Sequence, residues 1–282
     1  MAHHPRKRFG QHWLRSEAVL QRIVDAANLQ PGDRLLEIGP GKGVLTRRLS
    51  EQAASVVAVE VDRDLCADLR QEFHSSPTIH VIEGDVLSFD LTELHAVGVD
   101  TGDSVDAGDS QPLNKVVANI PYYITGPILE KLLGAIAQPN PQPFEAIVLL
   151  VQREVAERVC AEATSKTFGA LSVRVQYLAE TEYVCTVPSK AFFPAPKVES
   201  AVIKLKPRPF EPQAIAPSSM ETLVKVGFST KRKMLRNNLK SLVERDRLMA
   251  AFDTLGIKHE ARAEEISTLN WVKLSNLLYG IS

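Results

Sequence analysis

The sequence predicts an α/β protein: a doubly wound parallel sheet over residues 1–207, followed by a small all-helical domain over 208–282. Three observations predict it. From Arg34 onward, short apolar runs alternate with segments of helical period in a βαβαβ rhythm. The first of these runs leads into a glycine-rich turn, Gly39-Pro40-Gly41-Lys42-Gly43, that opens a helix. Beyond the proline-interrupted link Pro207-Arg208-Pro209-Phe210-Glu211-Pro212 the pattern is helical only.

Composition bounds the class. A chain of 282 residues has room for one large domain and a small one. Its 44% hydrophobic and 24% charged content is that of a globular protein. With a formal net charge of −1, any affinity for nucleic acid must come from local clusters. Cys66, Cys160 and Cys185 are far apart and lack metal-ligand spacing, which suggests a reducing compartment and no metal site. No apolar stretch is long enough to span a bilayer, and the first residues lack the apolar centre of a signal peptide. A cytoplasmic protein without a membrane partner is expected. There is no internal repeat.

The elements follow in order. Arg6-Lys7-Arg8-Phe9-Gly10-Gln11-His12-Trp13-Leu14 reads as a basic tail and an anchor, with Phe9 and Trp13 packing on the domain. Ser16 can cap a helix to about residue 28, because Val19, Leu20, Ile23 and Val24 recur at helical spacing. A strand at 34–38, the glycine turn and a helix at about 44–53 come next. A strand at 55–59 ends in Glu60-Val61-Asp62, a helix covers 62–73, and a strand at 78–82 ends in Glu83-Gly84-Asp85. The acidic, aperiodic stretch 98–110 reads as a mobile surface insertion. Lys115-Val116-Val117-Ala118 is a strand, and Pro121 stops it because proline lacks an N–H.

A helix from Thr125, a strand at 144–150, a helix from Gln152 and a helix through Tyr177 continue the chain. Strands at 183–187 and 198–205 suggest a hairpin across the sheet edge. Their connection, Lys190-Ala191-Phe192-Phe193-Pro194-Ala195-Pro196-Lys197, is stiffened by two prolines. Helices are expected at 220–228, 231–244, 246–254 and 271–278.

Chemistry concentrates at the strand ends, where open α/β sheets bind ligands. Asn119 and the Pro121 carbonyl are acceptors and Tyr122 adds a flat face, a set that suits the exocyclic amine of a planar base such as adenine. Asn-x-Pro-Tyr by itself is also an ordinary turn. Glu60 stands where a doubly wound fold places the carboxylate for a ribose diol, or it caps a helix. Asp85 is a further ligand or a turn residue. The glycines follow G-x-G-x-G, not the G-x-G-x-x-G of dinucleotide enzymes. Joined to Glu60, Asp85 and Asn119, that pattern favours S-adenosylmethionine (SAM). Phe192 or Phe193 is either a core anchor or a second aromatic for the base. Lys231-Arg232-Lys233 with Arg236 and Lys240, beside Leu235, Leu239 and Leu242, reads as a basic helix face for phosphates rather than a merely solvated one.

Together these segments resemble the ribosomal RNA adenine N6,N6-dimethyltransferase family, and the match is close to its bacterial small-subunit branch. It rests on Arg8-Phe-Gly-Gln-His-Trp-Leu14, Glu37-Ile-Gly-Pro-Gly-Lys-Gly43, Glu60-Val-Asp-Arg-Asp64, Asn119-Ile-Pro-Tyr122, Phe192-Phe-Pro-Ala-Pro-Lys-Val198 with Ser200-Ala-Val202, and Lys231-Arg-Lys233 with Arg236-Asn237. The resemblance implies a Rossmann-like SAM-dependent methyltransferase fold. It implies two methyl transfers to each of two adjacent adenines in the 3′-terminal hairpin loop of 16S rRNA, in an assembling small subunit, by a monomer.

Carried over, Gly39 and Gly41 belong to the cofactor loop, with Gly39 at the methionine end. Glu60 holds the ribose, Asp85 the cofactor adenine, and Gln11, His12 and Leu14 cover the cofactor, with Asn119 also beside it. Asn119 and Pro121 hold the target N6, Tyr122 and Phe192 stack on the base, and Lys231, Arg232, Lys233 and Arg236 contact RNA. His12 departs from the family's usual Asn. Either its imidazole donates to the SAM carboxylate, or only its backbone touches SAM and the ring lies in solvent. Two rivals share this fold: an adenine methyltransferase for large-subunit RNA, and a non-catalytic nucleic-acid-binding homologue. Intact Glu60, Asp85 and Asn119-Ile-Pro-Tyr122 argue against lost catalysis.

Overall fold

The computed structural model describes residues 6, 11–97 and 112–280. The basic tail with Phe9 and the acidic insertion at 98–110 fall outside them, apart from Arg6. Strands β1 (Trp13–Leu14), β2 (Arg34–Ile38), β3 (Ser55–Glu60), β4 (Ile79–Glu83), β5 (Lys115–Asn119) and β6 (Ala146–Gln152) alternate with helices α1 (Glu17–Ala27), α2 (Val44–Ser50), α3 (Arg63–Glu72), α4 (Leu91–His95) and α5 (Thr125–Leu133). Helices α6 (Arg153–Val159) and α7 (Ala170–Leu178) precede β7 (Ala179–Val187), β8 (Phe192–Phe193) and β9 (Ser200–Pro207). Helices α8 (Pro217–Gly227), α9 (Leu235–Leu239), α10 (Arg245–Leu255) and α11 (Thr268–Tyr279) end the chain.

Seven strands form one sheet in the order β4-β3-β2-β5-β6-β9-β7. Strands β2 to β6 are parallel, with Leu36 opposite both Val57 and Val116. Strand β9 runs antiparallel to β6, and β7 lies beyond it, as the edge hairpin requires. Every residue of β2 and β3 is buried, which is why these strands read as continuous runs without alternation. Strand order reverses between β2 and β5. That switch point opens a crevice at the carboxyl ends of the strands.

The chain divides into two compact units. One comprises Met1–Ile128, Pro143–Ala156 and Glu182–Lys206; the other comprises Leu129–Gln142, Glu157–Thr181 and Pro207–Ser282. In the first, Leu20, Ile23 and Val24 of α1 pack with Leu35, Val117, Val148 and Val202 of the sheet. Each such side chain contributes about 1.5–3 kcal/mol through burial. At the amino end of β5, the buried Lys115 ammonium donates to Asp33 (2.6 Å) and to the Asn28 carbonyl (2.9 Å). Asn114 completes this network by donating to Asp33 (2.7 Å), so the end of the sheet remote from the crevice is fixed. In the second unit, Trp271 packs against Phe228, with ring centroids 5.5 Å apart.

Three expectations need correction. Helix α4 was not anticipated: its five residues are too few to display a period, although Asp90 caps it by accepting from the Thr92 N–H (2.9 Å). Ser16 precedes α1 without a side-chain cap. The helix expected at 231–244 is only α9, and Lys231, Arg232 and Lys233 lie in the turn ahead of it. Arg232 is left-handed there, with φ 66°. Starting the helix at Lys231 would stack three cations at its N-terminus, against the helix dipole.

Candidate active site

The crevice is a pocket within the first unit, lined from the ends of β2, β3, β4 and β5 and from residues 11–14. Glycines make the floor possible. Gly39 and Gly41 have φ of 68° and 60°, where side chains are disfavoured. A Cβ on Gly41 would also stand 3.2 Å from the Trp13 ring. The Gly41 N–H donates to Glu60 (3.1 Å), and the Asp62 N–H donates to its other oxygen (2.9 Å). Glu60 is only 4% exposed, and burial raises the pKa of its carboxyl. Helix α3 is capped instead by Asp62, which accepts from the Asp64 N–H (3.2 Å) and from Gln11 (3.1 Å). The geometry thus assigns the cap to Asp62 and leaves Glu60 facing the pocket.

Asp85 lines the same pocket, with one oxygen accepting from the Leu87 N–H (3.0 Å). Leu14 lines it too while belonging to the hydrophobic core. Glu37, at the penultimate position of β2, is a lining residue the sequence did not single out. It is 1% exposed, and its Oε2 has no partner among the described residues. Burial, with Glu60 nearby, pushes its pKa up to about 8. A lone carboxylate inside an apolar strand was the only available signal.

Asn119 lies at the carboxyl end of β5, and its Nδ2 donates to the backbone carbonyl of His12 (3.2 Å). Since a carbonyl only accepts, the Asn119 Oδ1 is the half of the amide left for a ligand. The Pro121 carbonyl accepts from Ile124 N–H (3.3 Å), and a carbonyl has a second lone pair. Tyr122 packs on the core, and its hydroxyl is hydrogen-bonded to that of Ser200.

Two of the expected site residues, Phe192 and His12, have protein partners of their own. Strand β1 pairs antiparallel with β8, Leu14 opposite Phe192 and Trp13 opposite Phe193. Successive strand side chains point to opposite faces. Phe192 therefore enters the core at 4% exposure and is not among the residues that line the pocket. Phe193 turns outward under the Arg15 guanidinium, 4.0 Å from its ring centroid. The His12 imidazole, for its part, is bonded through Nδ1 to the Pro194 carbonyl (2.7 Å) and stacks on Tyr122. The ring is therefore tethered through Nδ1, which leaves Nε2 as its other polar atom.

In the second unit, Lys231, Arg232 and Lys233 are exposed and form no ion pair among the described residues. Arg236 is half-buried, with its guanidinium on the Met234 sulfur (3.3 Å). No group of three metal-ligating side chains occurs among the described residues, and no helix there is long and apolar enough to cross a membrane.

Comparison with known proteins covers nearly the whole chain. The family profile described as "Ribosomal RNA adenine dimethylase" matches residues 2–279. The "Ribosomal RNA small subunit methyltransferase A" of Nostoc sp. is 55% identical over 277 residues, covering 97% of this chain and 98% of that protein. The protein of the same name from Trichormus variabilis is 54% identical over 97% of this chain and 98% of its own. Among solved structures, a dimethyladenosine transferase from Plasmodium falciparum superposes with TM-score 0.74 at 25% identity, covering 93% of this chain and 96% of that one. The 23S rRNA methyltransferase ErmE gives TM-score 0.72 at 28% identity, covering 94% and 99%. On this evidence the chain belongs to the ribosomal RNA adenine dimethylase family.

Proposed function

We propose that this protein is a SAM-dependent enzyme that methylates N6 of two adjacent adenines in the 3′-terminal hairpin loop of 16S rRNA. The products would be N6,N6-dimethyladenosines, formed during small-subunit assembly. One observation carries the site assignment: Asn119 lines the pocket with Tyr122, and its Nδ2 is engaged by the His12 carbonyl, which leaves Oδ1 to accept. Identity of 54–55% over 97% of the chain supports the small-subunit RNA as substrate. The large-subunit rival has weaker support, at 28% identity to ErmE.

The residues fit SAM. A buried carboxylate at Glu60 suits a pair of ribose hydroxyls, Asp85 suits an adenine amine, and the Gly39–Gly41 backbone admits the methionine end closely. Gln11, the His12–Leu14 backbone and Asn119 complete this binding set. When bound, SAM supplies an electrophilic methyl on a sulfonium. Asn119 Oδ1 and the Pro121 carbonyl accept the hydrogens of the target amine. This draws its nitrogen lone pair out of the ring and aims it. Asn119 is a neutral amide, so it is not a general base; the proton leaves after transfer. Positioning and a matched electrostatic site supply the rate gain. Turning an adenine out of its stack costs a few kcal/mol, and stacking on Tyr122 returns about 1–3 kcal/mol. Rotation about C6–N6 presents the amine for its second methyl.

Residues 208–282 are assigned the RNA-contacting role, with Lys231, Arg232, Lys233 and Arg236 on phosphates. The enzyme is assigned to the cytoplasm as a monomer. Incubation with labelled SAM and 30S particles, 50S particles or protein-free RNA tests the reading. Dimethyladenosine on 30S particles is expected. Transfer to 50S particles alone would favour the large-subunit reading, and no transfer anywhere would favour a non-catalytic homologue.

A further inference from the structure

The pocket contains one pair of stacked rings that the family resemblance does not account for. His12 and Tyr122 both line it, their centroids 5.9 Å apart and their planes inclined by 19°. Tyr122 packs on the core as well as lining the pocket, and His12 is the ring stacked with it. Among the described residues the imidazole is held by one hydrogen bond, Nδ1–H to the Pro194 carbonyl (2.7 Å). A carbonyl can only accept, so Nδ1 carries the proton and that N–H is already used. The peptide carbonyl of the same residue orients Asn119 (3.2 Å). His12 thus touches two of the three groups assigned to the target base, Asn119 and Tyr122, while Phe192 lies in the core at 4% exposure.

We infer that the imidazole of His12 is the second wall of the slot for the target adenine, facing Tyr122. The inference rests on the reading in which Asn119, Pro121 and Tyr122 hold that base. Stacked layers lie about 3.5 Å apart, so a base between two rings needs about 7 Å. The present 5.9 Å is a closed slot, and the base enters as the imidazole moves outward about its bond to Pro194. What His12 offers in this role is a flat face, whereas a cofactor contact would run through Nε2, since Nδ1–H is tethered to Pro194. This separates it from a cofactor donor: phenylalanine can replace a wall but not a donor, and asparagine can replace a donor but not a wall.

Four proteins decide it: wild type, His12→Ala, His12→Asn and His12→Phe, each assayed for SAM dissociation constant and for kcat/KM with 30S particles. A wall predicts SAM affinity within about twofold throughout. It also predicts kcat/KM lowered about tenfold in the Ala and Asn variants, from loss of one stacking face. The Phe variant should stay within about threefold of wild type. SAM affinity falling with activity, restored by Asn and not by Phe, would overturn the inference, as would full activity of His12→Ala. Wild-type protein that transfers no methyl to RNA would remove the underlying reading and this inference with it.

Discussion

The Asn119 carboxamide donates to the His12 carbonyl at 3.2 Å, and this bond leaves Oδ1 as the half of the amide free to accept. Only Nδ2 can donate to a carbonyl, so the orientation of the amide is set by the protein itself. Preorganisation of this kind is where an enzyme of positioning gains its rate. Asn119→Ala should abolish most methyl transfer while SAM affinity stays within a few-fold. Calorimetry with SAM beside a transfer assay checks it; cofactor binding lost in step with activity would move Asn119 to the cofactor side.

Tyr122 lines the pocket, and its hydroxyl is hydrogen-bonded to Ser200. The two contributions separate by substitution. Tyr122→Ala should lower kcat/KM by about 1–3 kcal/mol in activation free energy, the cost of losing one stacked base. Leucine should recover little because it has no planar face. Tyr122→Phe keeps the face and loses only the Ser200 link, about 1 kcal/mol. A fully active Tyr122→Leu would show that stacking is not the ring's contribution.

Lys231, Arg232 and Lys233 stand exposed ahead of α9. Phosphate contacts position an RNA without reading it. Replacing the three by Gln should weaken 30S binding and reduce the slope of log affinity against log salt by about 2–3. Filter binding across a salt series measures the slope. If it is unchanged, these side chains are only solvated.

What was legible in the sequence was whatever local chemistry decides. Strands β2, β3, β5 and β6 are buried almost throughout, β4 only in part, and all stood out as apolar runs. Glu60, Asp85 and Asn119 were readable because each follows such a run. What depended on distant partners was not. Strands β1 and β8 are each two residues long, too short to show alternation, so their pairing alone decides that Phe192 points in and Phe193 out. The partner of the His12 ring is Pro194, which no local pattern near residue 12 announces. The basic triplet looked helical because Leu235 and Leu239 have helical spacing, while the left-handed Arg232 that delays the helix leaves no trace in composition.

Glu37 yields the last prediction, one about stability. It is 1% exposed beside Glu60, and burial, reinforced by that neighbour's charge, lifts its pKa from the usual 4.5 to about 8. Below about pH 4.5 folded and unfolded chains both hold this proton, and the residue imposes no pH dependence. Between about 4.5 and 8 the unfolded chain releases the proton and the folded one keeps it. The unfolded state then binds fewer protons, so stability falls as pH rises, and it levels off above about 8. Glu37→Gln removes the carboxyl and with it this slope. The variant should melt several degrees above wild type at about pH 8, a difference of a few kcal/mol, and the two should converge toward about pH 5. Thermal melts at half-unit pH intervals measure it. A variant that melts below wild type by the same margin at every pH would mean that Glu37 is ionised and held by a partner in the folded protein.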